Sequence, residues 1–592
     1  MVRTMTVEGT PAARVDGGLD EPTELEPEQG TLDLASPEDR HTLADWEAAT
    51  AAVLRKSRRM KDDDPDSLVW KKLTRTTLDG IDVTPLGTAS LLDDLSTSGR
   101  PTRSGDWDIR AHLRAHDGQD AKALNETALV DLNGGVTSLW LQVAADADLA
   151  SLLHDVLLDL APVVLDATDD QLALARVFLD VLGDTTPAPG TNLGGSGDSL
   201  VEVAQLAHER GVLGVVVDAT AVHDRGASDA QELGWSVAAG ADALRRLTGA
   251  GLSVDEAAGL IEFRYAATDD QFATIAKLRA ARRLWARVVE LSEGTTTTQR
   301  QHVVTSRPMM STYDPYVNML RTTVAAFAAG VGGADAVTVL PFDSPLGAPE
   351  VLGRRIARNT SALLISESHV AKVADPAGGS YAVEKLTDDL AVAGWAELGR
   401  IEEDGPAALE ERIAEAAGKR EVLVAKRRMP ITGLTEFPHL AETRPERRAD
   451  GAFDGVRRYG ASFEALRDDP AMTPVFLSTL GTIAAHTARA TFAANLLAAG
   501  GIAVEVAGAT SGVDDLLAAY ADQPVVCLAG SDTTYAEWGQ EAITALRGAG
   551  ARHVVLAGVS TGSASEAYGA DDGFVLGVDA LDFLTRTREK LA

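Results

Sequence analysis

Cysteine is almost absent: Cys527 is the one cysteine in 592 residues. That excludes an intramolecular disulfide and a cysteine-ligated metal cluster, and it suits a reducing compartment. Cys527 lies in the apolar run Val525-Val526-Cys527-Leu528 and reads as a small buried hydrophobe rather than a reactive thiol. Basic charge is also in short supply, with 54 Lys and Arg against 88 Asp and Glu, a net −34. A field of that sign repels nucleic acid and anionic membranes, so neither is an expected partner. It also repels small anions unless a local basic patch overrides it. No apolar run approaches the ~18 residues of a membrane span, and the opening Met-Val-Arg-Thr carries no apolar leader; the expected location is the cytoplasm. No G-x-x-x-x-G-K-[ST] pattern occurs, which removes a phosphate-cradling loop of that type.

What is present is enough for several domains. The chain is 45% hydrophobic and 24% charged, ordinary for a globular protein with a large core. Residues 1–35 hold eight carboxylates and two arginines without apolar periodicity, and are expected to be a disordered acidic tail. Ser36-Pro37-Glu38-Asp39 looks like a helix start, with Ser as cap and Pro in the first turn. The helix would run through Leu43, Trp46, Ala49, Val53 and Leu54, as part of an arm over 36–84 that is suited to subunit contact.

From about 85 to 430, short apolar runs alternate with long helical patterns. The strand candidates are 138–143, 163–166, 213–218, 302–305 and 336–340. A helix from about Asp270 to Leu291 has Phe272, Ile275, Leu278, Leu284, Trp285 and Val288 on its apolar face. Residues 395–430 read as helical. Continuous apolar strands separated by helices favour a parallel α/β barrel. Residues 431–472 carry Pro, Gly and charge and read as a linker. Residues 473–592 contain five βα units, starting from Phe476–Leu480, in the size range of a flavodoxin-like doubly wound domain.

Five segments resemble the methylmalonyl-CoA mutase family, in family order. They are Trp107-Asp108-Ile109-Arg110 (Trp-x-x-Arg), the Lys277 to Trp285 stretch (Lys-Leu-Arg-Ala-Ala-Arg-x-Leu-Trp), Asp314 to Thr323 (Asp-Pro-Tyr-x-Asn-x-x-Arg-Thr-Thr), Arg355 to Thr360 (Arg-Ile-Ala-Arg-Asn-Thr) and Asp375 to Glu384 (Asp-Pro-x-x-Gly-Ser-Tyr-x-Val-Glu). The resemblance implies a (β/α)8 TIM barrel followed by a flavodoxin-like, cobalamin-binding-type domain. On the residues alone these segments read as structural. The 277–285 helix has a cationic solvated face, Asp314 caps a helix with Pro315 in its first turn, Arg358 and Asn359 brace a helix, and Gly378-Gly379 form a tight loop.

The positions that carry chemistry in active members depart from the family pattern. The D-x-H-x-x-G motif, whose His ligates cobalt and whose Asp orients that His, aligns with Ala484, His486 and Arg489. His486 then lacks its carboxylate, and a guanidinium replaces the glycine that lets the corrin approach. Gly-Tyr-His-Met-Gln-Glu aligns with Ala219 to Asp224, so Thr220 stands for the Tyr and Ala221 for the thioester-binding His; His223 lies two residues away. His112 stands for a further Tyr after Trp-x-x-Arg. The substrate-channel segment Arg-Thr-His-Cys-Gln-Thr-Ser-Gly aligns with Thr305 to Ser311. Gly558, Ser560, Thr561 and Ser563 suit either a nucleotide tail or a plain strand-end loop.

The resemblance is therefore to the small, non-catalytic subunit type of the bacterial heterodimeric enzyme. It implies no catalytic, cofactor-binding or metal-ligating residue on this chain. Adenosylcobalamin and the CoA ester would be bound by a homologous large subunit. The alternative is an active adenosylcobalamin-dependent acyl-CoA mutase with diverged motifs. A regulatory or chaperone-like barrel protein is a third reading.

Overall fold

The computed structural model describes residues 40–592 apart from 94, 96 and 116–119; the acidic tail and the proposed start at Ser36–Asp39 lie outside the described residues. The chain forms two compact units, one up to Thr74 and one from Arg75 to Ala592.

In the first unit a helix spans Leu43–Lys56 and begins with a reciprocal cap: the Asp45 amide donates to Thr42 Oγ1, and the Thr42 amide donates to the Asp45 carboxylate. Ala51 and Leu54 pack with Met60 and Val69, and the rings of Trp46 and Trp70 lie 4.7 Å apart. Leu43 and Val53, expected on the apolar face, point to solvent instead.

The second unit holds a closed barrel of eight parallel strands: β1 Asp108–Arg114, β2 Ser138–Val143, β3 Val163–Ala167, β4 Asn192–Gly195, β5 Leu213–Asp218, β6 Ile261–Ala267, β7 Arg300–Thr305 and β8 Ala336–Thr338. β8 closes onto β1 through Ala336 opposite Asp108. Successive side chains alternate between the bore and the helical jacket. On the jacket side Phe263 of β6 meets Trp285 edge-on at 4.8 Å. The expected strands are present, with β8 ending at Thr338 rather than 340; β1, β4 and β6 join them.

The helix predicted near 270–291 spans Gln271–Leu291, capped by the Asp270 carboxylate. Two features differ from expectation. Phe272 is exposed, and the cationic residues are not solvated: Lys277, Arg279 and Arg282 are all buried. Carboxylates remote in sequence explain this. Lys277 meets Glu232 at 2.6 Å and Asp229 at 2.9 Å, while Arg279 meets Glu384 at 2.7 Å and also Asp375. Asp314 does not cap the next helix, Val317–Val331. Its backbone is left-handed (φ 47°), and Tyr316 occupies the capping position.

Beyond the barrel, Tyr381–Asp404 and Pro406–Ala425 are helical, and the connecting stretch that follows carries a helix at Ala461–Asp468. The last part is a parallel sheet of β9 Val475–Thr479, β10 Val504–Val506, β11 Val525–Ala529, β12 His553–Ala557 and β13 Asp572–Phe574, in the order β10-β9-β11-β12-β13. Cys527 is buried in β11, and burial pushes its thiol up to about 12.

Candidate functional site

In a parallel barrel, chemistry is built from the strand ends and the bore. Here the bore is packed with ion pairs and rings. Near its N-terminal side Arg110 donates to Glu262 at 2.8 Å and to Ser138 Oγ at 3.2 Å, and Arg300 bridges Glu262 at 3.1 Å and Asp108 at 3.4 Å. One layer further along, Trp140 donates to Asp166 at 2.9 Å and His112 stacks on Trp140 with ring centres 3.7 Å apart. The Arg264 guanidinium lies 3.9 Å from the Trp140 ring centre and donates to Asp218 at 2.7 Å and to His302 Nδ1 at 3.2 Å. Since His302 Nδ1 accepts, its Nε2 is the protonated nitrogen and donates to Thr338 at 2.8 Å.

Electrostatics disfavours the protonated form of these imidazoles. Burial first, then the surrounding guanidiniums, hold His112 and His302 well below the usual histidine range. Burial pushes the Glu262 carboxyl up, but Arg110 and Arg300 outweigh it and leave it below the usual range. Trp140, Arg110 and Arg264 are each 2% exposed, so this layer is closely packed, and burial, opposed by Arg264, pushes the Asp166 carboxyl up.

At the C-terminal strand ends, Thr220 donates its hydroxyl to Asp218 at 2.6 Å, and Ala221 is an exposed methyl in the short helix Thr220–His223. His223 is buried and held by its neighbours. Its Nε2 is 2.7 Å from Ser306 Oγ and its Nδ1 3.3 Å from Glu232, within a buried network that continues to Lys277. The Ser–His–Glu order is that of a hydrolytic relay, but Ser306 is 1% exposed and has no face for a substrate. The channel segment expected at Thr305–Ser311 falls five residues earlier. Arg300, His302, Thr305 and Ser306 keep the motif's Arg, His, Thr and Ser on and just after β7. Gln301, Val303, Val304 and Arg307 are the departures.

At the C-terminal edge of the sheet, three residues separate the end of β9 from the helix Ile483–Ala499. His486 therefore sits in its first turn, buried, with Nδ1 enclosed and without a hydrogen-bond partner. Ala484 is exposed and offers no acceptor. Arg489 reaches across the strand ends, donating to Gly530 O at 2.5 Å and pairing with Asp532. It lies 5.0 Å from the Tyr535 ring centre and fills the space beside Gly558, whose φ of +81° and missing Cβ admit it. The Tyr535 hydroxyl spans two strands, donating to Leu528 O or Ala557 O at 2.8 and 2.9 Å. These residues do not fit a corrin held by a histidine: the imidazole has no orienting carboxylate, and the crevice between strand ends, where such sheets bind ligands, holds Arg489. Among the described residues no group of three or more His, Cys, Asp or Glu could hold a metal ion.

The segments that keep the family pattern contact one another and the connecting stretch. Arg279 of one motif pairs with Asp375 and Glu384 of another, and the Gly379 amide donates to Glu384 at 3.0 Å. Asn318 donates to Ser311 O and Phe342 O at 2.8 and 2.9 Å, and Arg321 donates to Thr432 O at 2.7 Å. Arg358 pairs with Asp131 at 3.1 Å. Sequence reasoning missed Arg264, Glu262 and Trp140. The signal it passed over was charge at alternate positions of β1 and β6.

Comparisons with known proteins agree with this framework. The family model described as methylmalonyl-CoA mutase matches residues 205–513. A "Methylmalonyl-CoA mutase small subunit" of Streptomyces virginiae is 42% identical over 95% of this chain and 99% of its own length. The protein of that name from Propionibacterium freudenreichii subsp. shermanii is 34% identical over 95% and 96%. The "Methylmalonyl-CoA mutase, mitochondrial" of Bos taurus is 36% identical over 36% of this chain and 30% of its own. Full-length similarity to the small subunits, with the retained segments paired in one barrel, places the chain in the methylmalonyl-CoA mutase family, an isomerase family.

Proposed function

We propose that this chain is the small subunit of a heterodimeric, adenosylcobalamin-dependent methylmalonyl-CoA mutase and is itself without catalytic activity. In this reading a homologous large subunit binds the cofactor and the CoA ester and interconverts (R)-methylmalonyl-CoA and succinyl-CoA in propionate metabolism. The radical rearrangement is the cofactor's chemistry, and it takes place on that partner. Residues 36–84 form the arm for subunit contact, and 85–430 a degenerate substrate barrel. Residues 431–472 connect it to a flavodoxin-like, degenerate cobalamin-type domain over 473–592. The β10-β9-β11-β12-β13 order supports the flavodoxin-like description. A cytoplasmic setting suits the single buried cysteine.

The observation that carries the reading is the filled bore. A pantetheine arm threaded through the barrel would have to displace Trp140 together with His112 and Arg264, which are locked by Asp166, Asp218 and His302. The Arg489 bridge at the sheet edge supports it independently. The test is purification of the chain alone and with a homologue that carries an intact D-x-H-x-x-G motif. The chain alone should show neither corrin absorbance nor turnover with added adenosylcobalamin, and the mixture should elute as a one-to-one complex. Mutase turnover by the isolated chain would overturn the assignment in favour of an active, diverged enzyme.

A further inference from the structure

A cavity of about 210 Å³ opens at the C-terminal end of the barrel, between β1, the Ala121–Asn133 helix, the loop after β8 and the segment around Arg448–Phe453. It is far larger than the ~10–15 Å³ that admits one water. Among the described residues its charged lining is six arginines against two carboxylates, Asp131 and Asp450. In a chain of net charge −34 such a concentration of cations is local and not a reflection of composition.

The cations outnumber their partners. Asp131 is shared by Arg354 and Arg358. Arg448, at the exposed rim, has no carboxylate within ion-pair distance among the described residues. Donors also go unused: Arg354 Nε and Arg358 Nε are buried without a hydrogen-bond partner, and so is the ring nitrogen His112 Nε2. Buried polar groups in folded proteins are nearly always satisfied, so a cluster of orphaned donors in one enclosed space marks a place for an acceptor. The rest of the wall is apolar, with Leu124, Val136, Leu340 and Phe453. A fork of guanidiniums recognises planar carboxylate and phosphate oxygens, and the apolar wall suits a short carbon body.

We propose that this cavity binds a small organic dianion, a dicarboxylate or a phosphate monoester, with Arg354 and Arg448 holding its charged end. The site borders the barrel bore, sharing Arg110 and His112 with it, is separate from the sheet edge, and stands whether or not the chain is catalytically silent. Its occupancy would tie the segment around Arg448 to the barrel, coupling the connecting stretch to an anionic metabolite.

Calorimetric titration of the full chain with malonate and with inorganic phosphate, against sodium chloride at matched ionic strength, tests this. One saturable site per chain is expected for at least one probe. The tighter of the two names the source: carboxylate if malonate, phosphate ester if phosphate. Arg448→Gln, at the exposed rim, leaves the fold intact and should weaken binding about tenfold, and Arg354→Gln by at least as much. The remote Arg586→Gln should bind as the parent does. Absence of saturable heat for both probes up to ~10 mM, or parent-like affinity in Arg448→Gln, would overturn the assignment.

Discussion

Glu232 shows how a single carboxylate organises one end of the barrel. It accepts the Ala266 amide at 2.9 Å and Lys277 at 2.6 Å, and lies 3.3 Å from His223. Burial works against its charge, but Lys277 and His223 outweigh that and hold its carboxyl down to about 2. Because the folded value lies below the unfolded one, its contribution is present above pH ~4.5 and is lost as pH falls through about 2. Glu232→Gln should cost roughly 3 kcal/mol at pH 7 by leaving Lys277 with Asp229 alone, and the cost should shrink in urea melts taken below pH 3. Asp79 has the opposite sign. Burial, opposed by its hydrogen bond from Ser228, pushes its carboxyl up to about 6, so stability falls as pH rises from ~4 through 6. Asp79→Asn should therefore stabilise the protein by roughly 1–3 kcal/mol at pH 7 and by little at pH 3.5, read from paired denaturant titrations. Neither role was legible in the sequence. The partners are far apart along the chain, and a Lys or Arg on an amphipathic helix reads as solvated until its carboxylate is placed beside it.

At the scale of the element, the strands found from sequence were those whose apolar residues outweigh the polar ones, such as 138–143, polar at Ser138 and Gln142, and 213–218, polar at Asp218. Those missed were β1, with Asp108, Arg110, His112 and Arg114 at alternate positions; β6, with Glu262 and Arg264; and the glycine-rich β4. The side chains that fill the bore thus also hid the strands, because hydrophobic periodicity cannot register a strand whose inner face is charged. The outer faces obey ordinary packing and make a sharper prediction. Gly240, on the Asp229–Gly249 helix, lies where a Cβ would come within 2.8 Å of Phe263 and 2.9 Å of Trp285. Both rings are buried and cannot swing away. Gly240→Ala, despite its better helix propensity, should therefore destabilise by ~1–3 kcal/mol in chemical denaturation. A neutral or stabilising result would mean that the helix can shift on the barrel.

At the scale of the whole molecule, the connecting stretch does more than span a gap. It docks on the loop after β7, where the Tyr313 hydroxyl donates to Asp468 at 2.8 Å and the ring lies between Arg444 and Arg467, 4.6 and 4.1 Å from its centre. The Asp314 amide donates to Glu442 at 2.8 Å, the Thr312 amide to Glu464 at 2.9 Å, and the Tyr459 amide to Pro308 O at 2.8 Å. Tyr313 also joins the core cluster of the C-terminal sheet through Ile431 and Leu434. The family pattern at Asp314 to Thr323, read from sequence as a turn into a helix, is in the structure the seat that couples the barrel to the sheet. Its coupling role depends on contacts more than a hundred residues away, which no local spacing reports. Tyr313→Phe keeps the ring between the two guanidiniums and loses one hydrogen bond to a half-exposed carboxylate, so it should cost about 1 kcal/mol. Tyr313→Ala removes the ring as well and should cost ~3–5 kcal/mol. The loss should fall on the coupling rather than on either core, so heating this variant should split one calorimetric transition into two, the sheet melting first. Limited proteolysis should accelerate within residues 438–450, while barrel peptides stay protected. A single transition moved bodily downwards, with unchanged cleavage, would show that the seat stabilises the barrel alone and that the two parts are joined elsewhere.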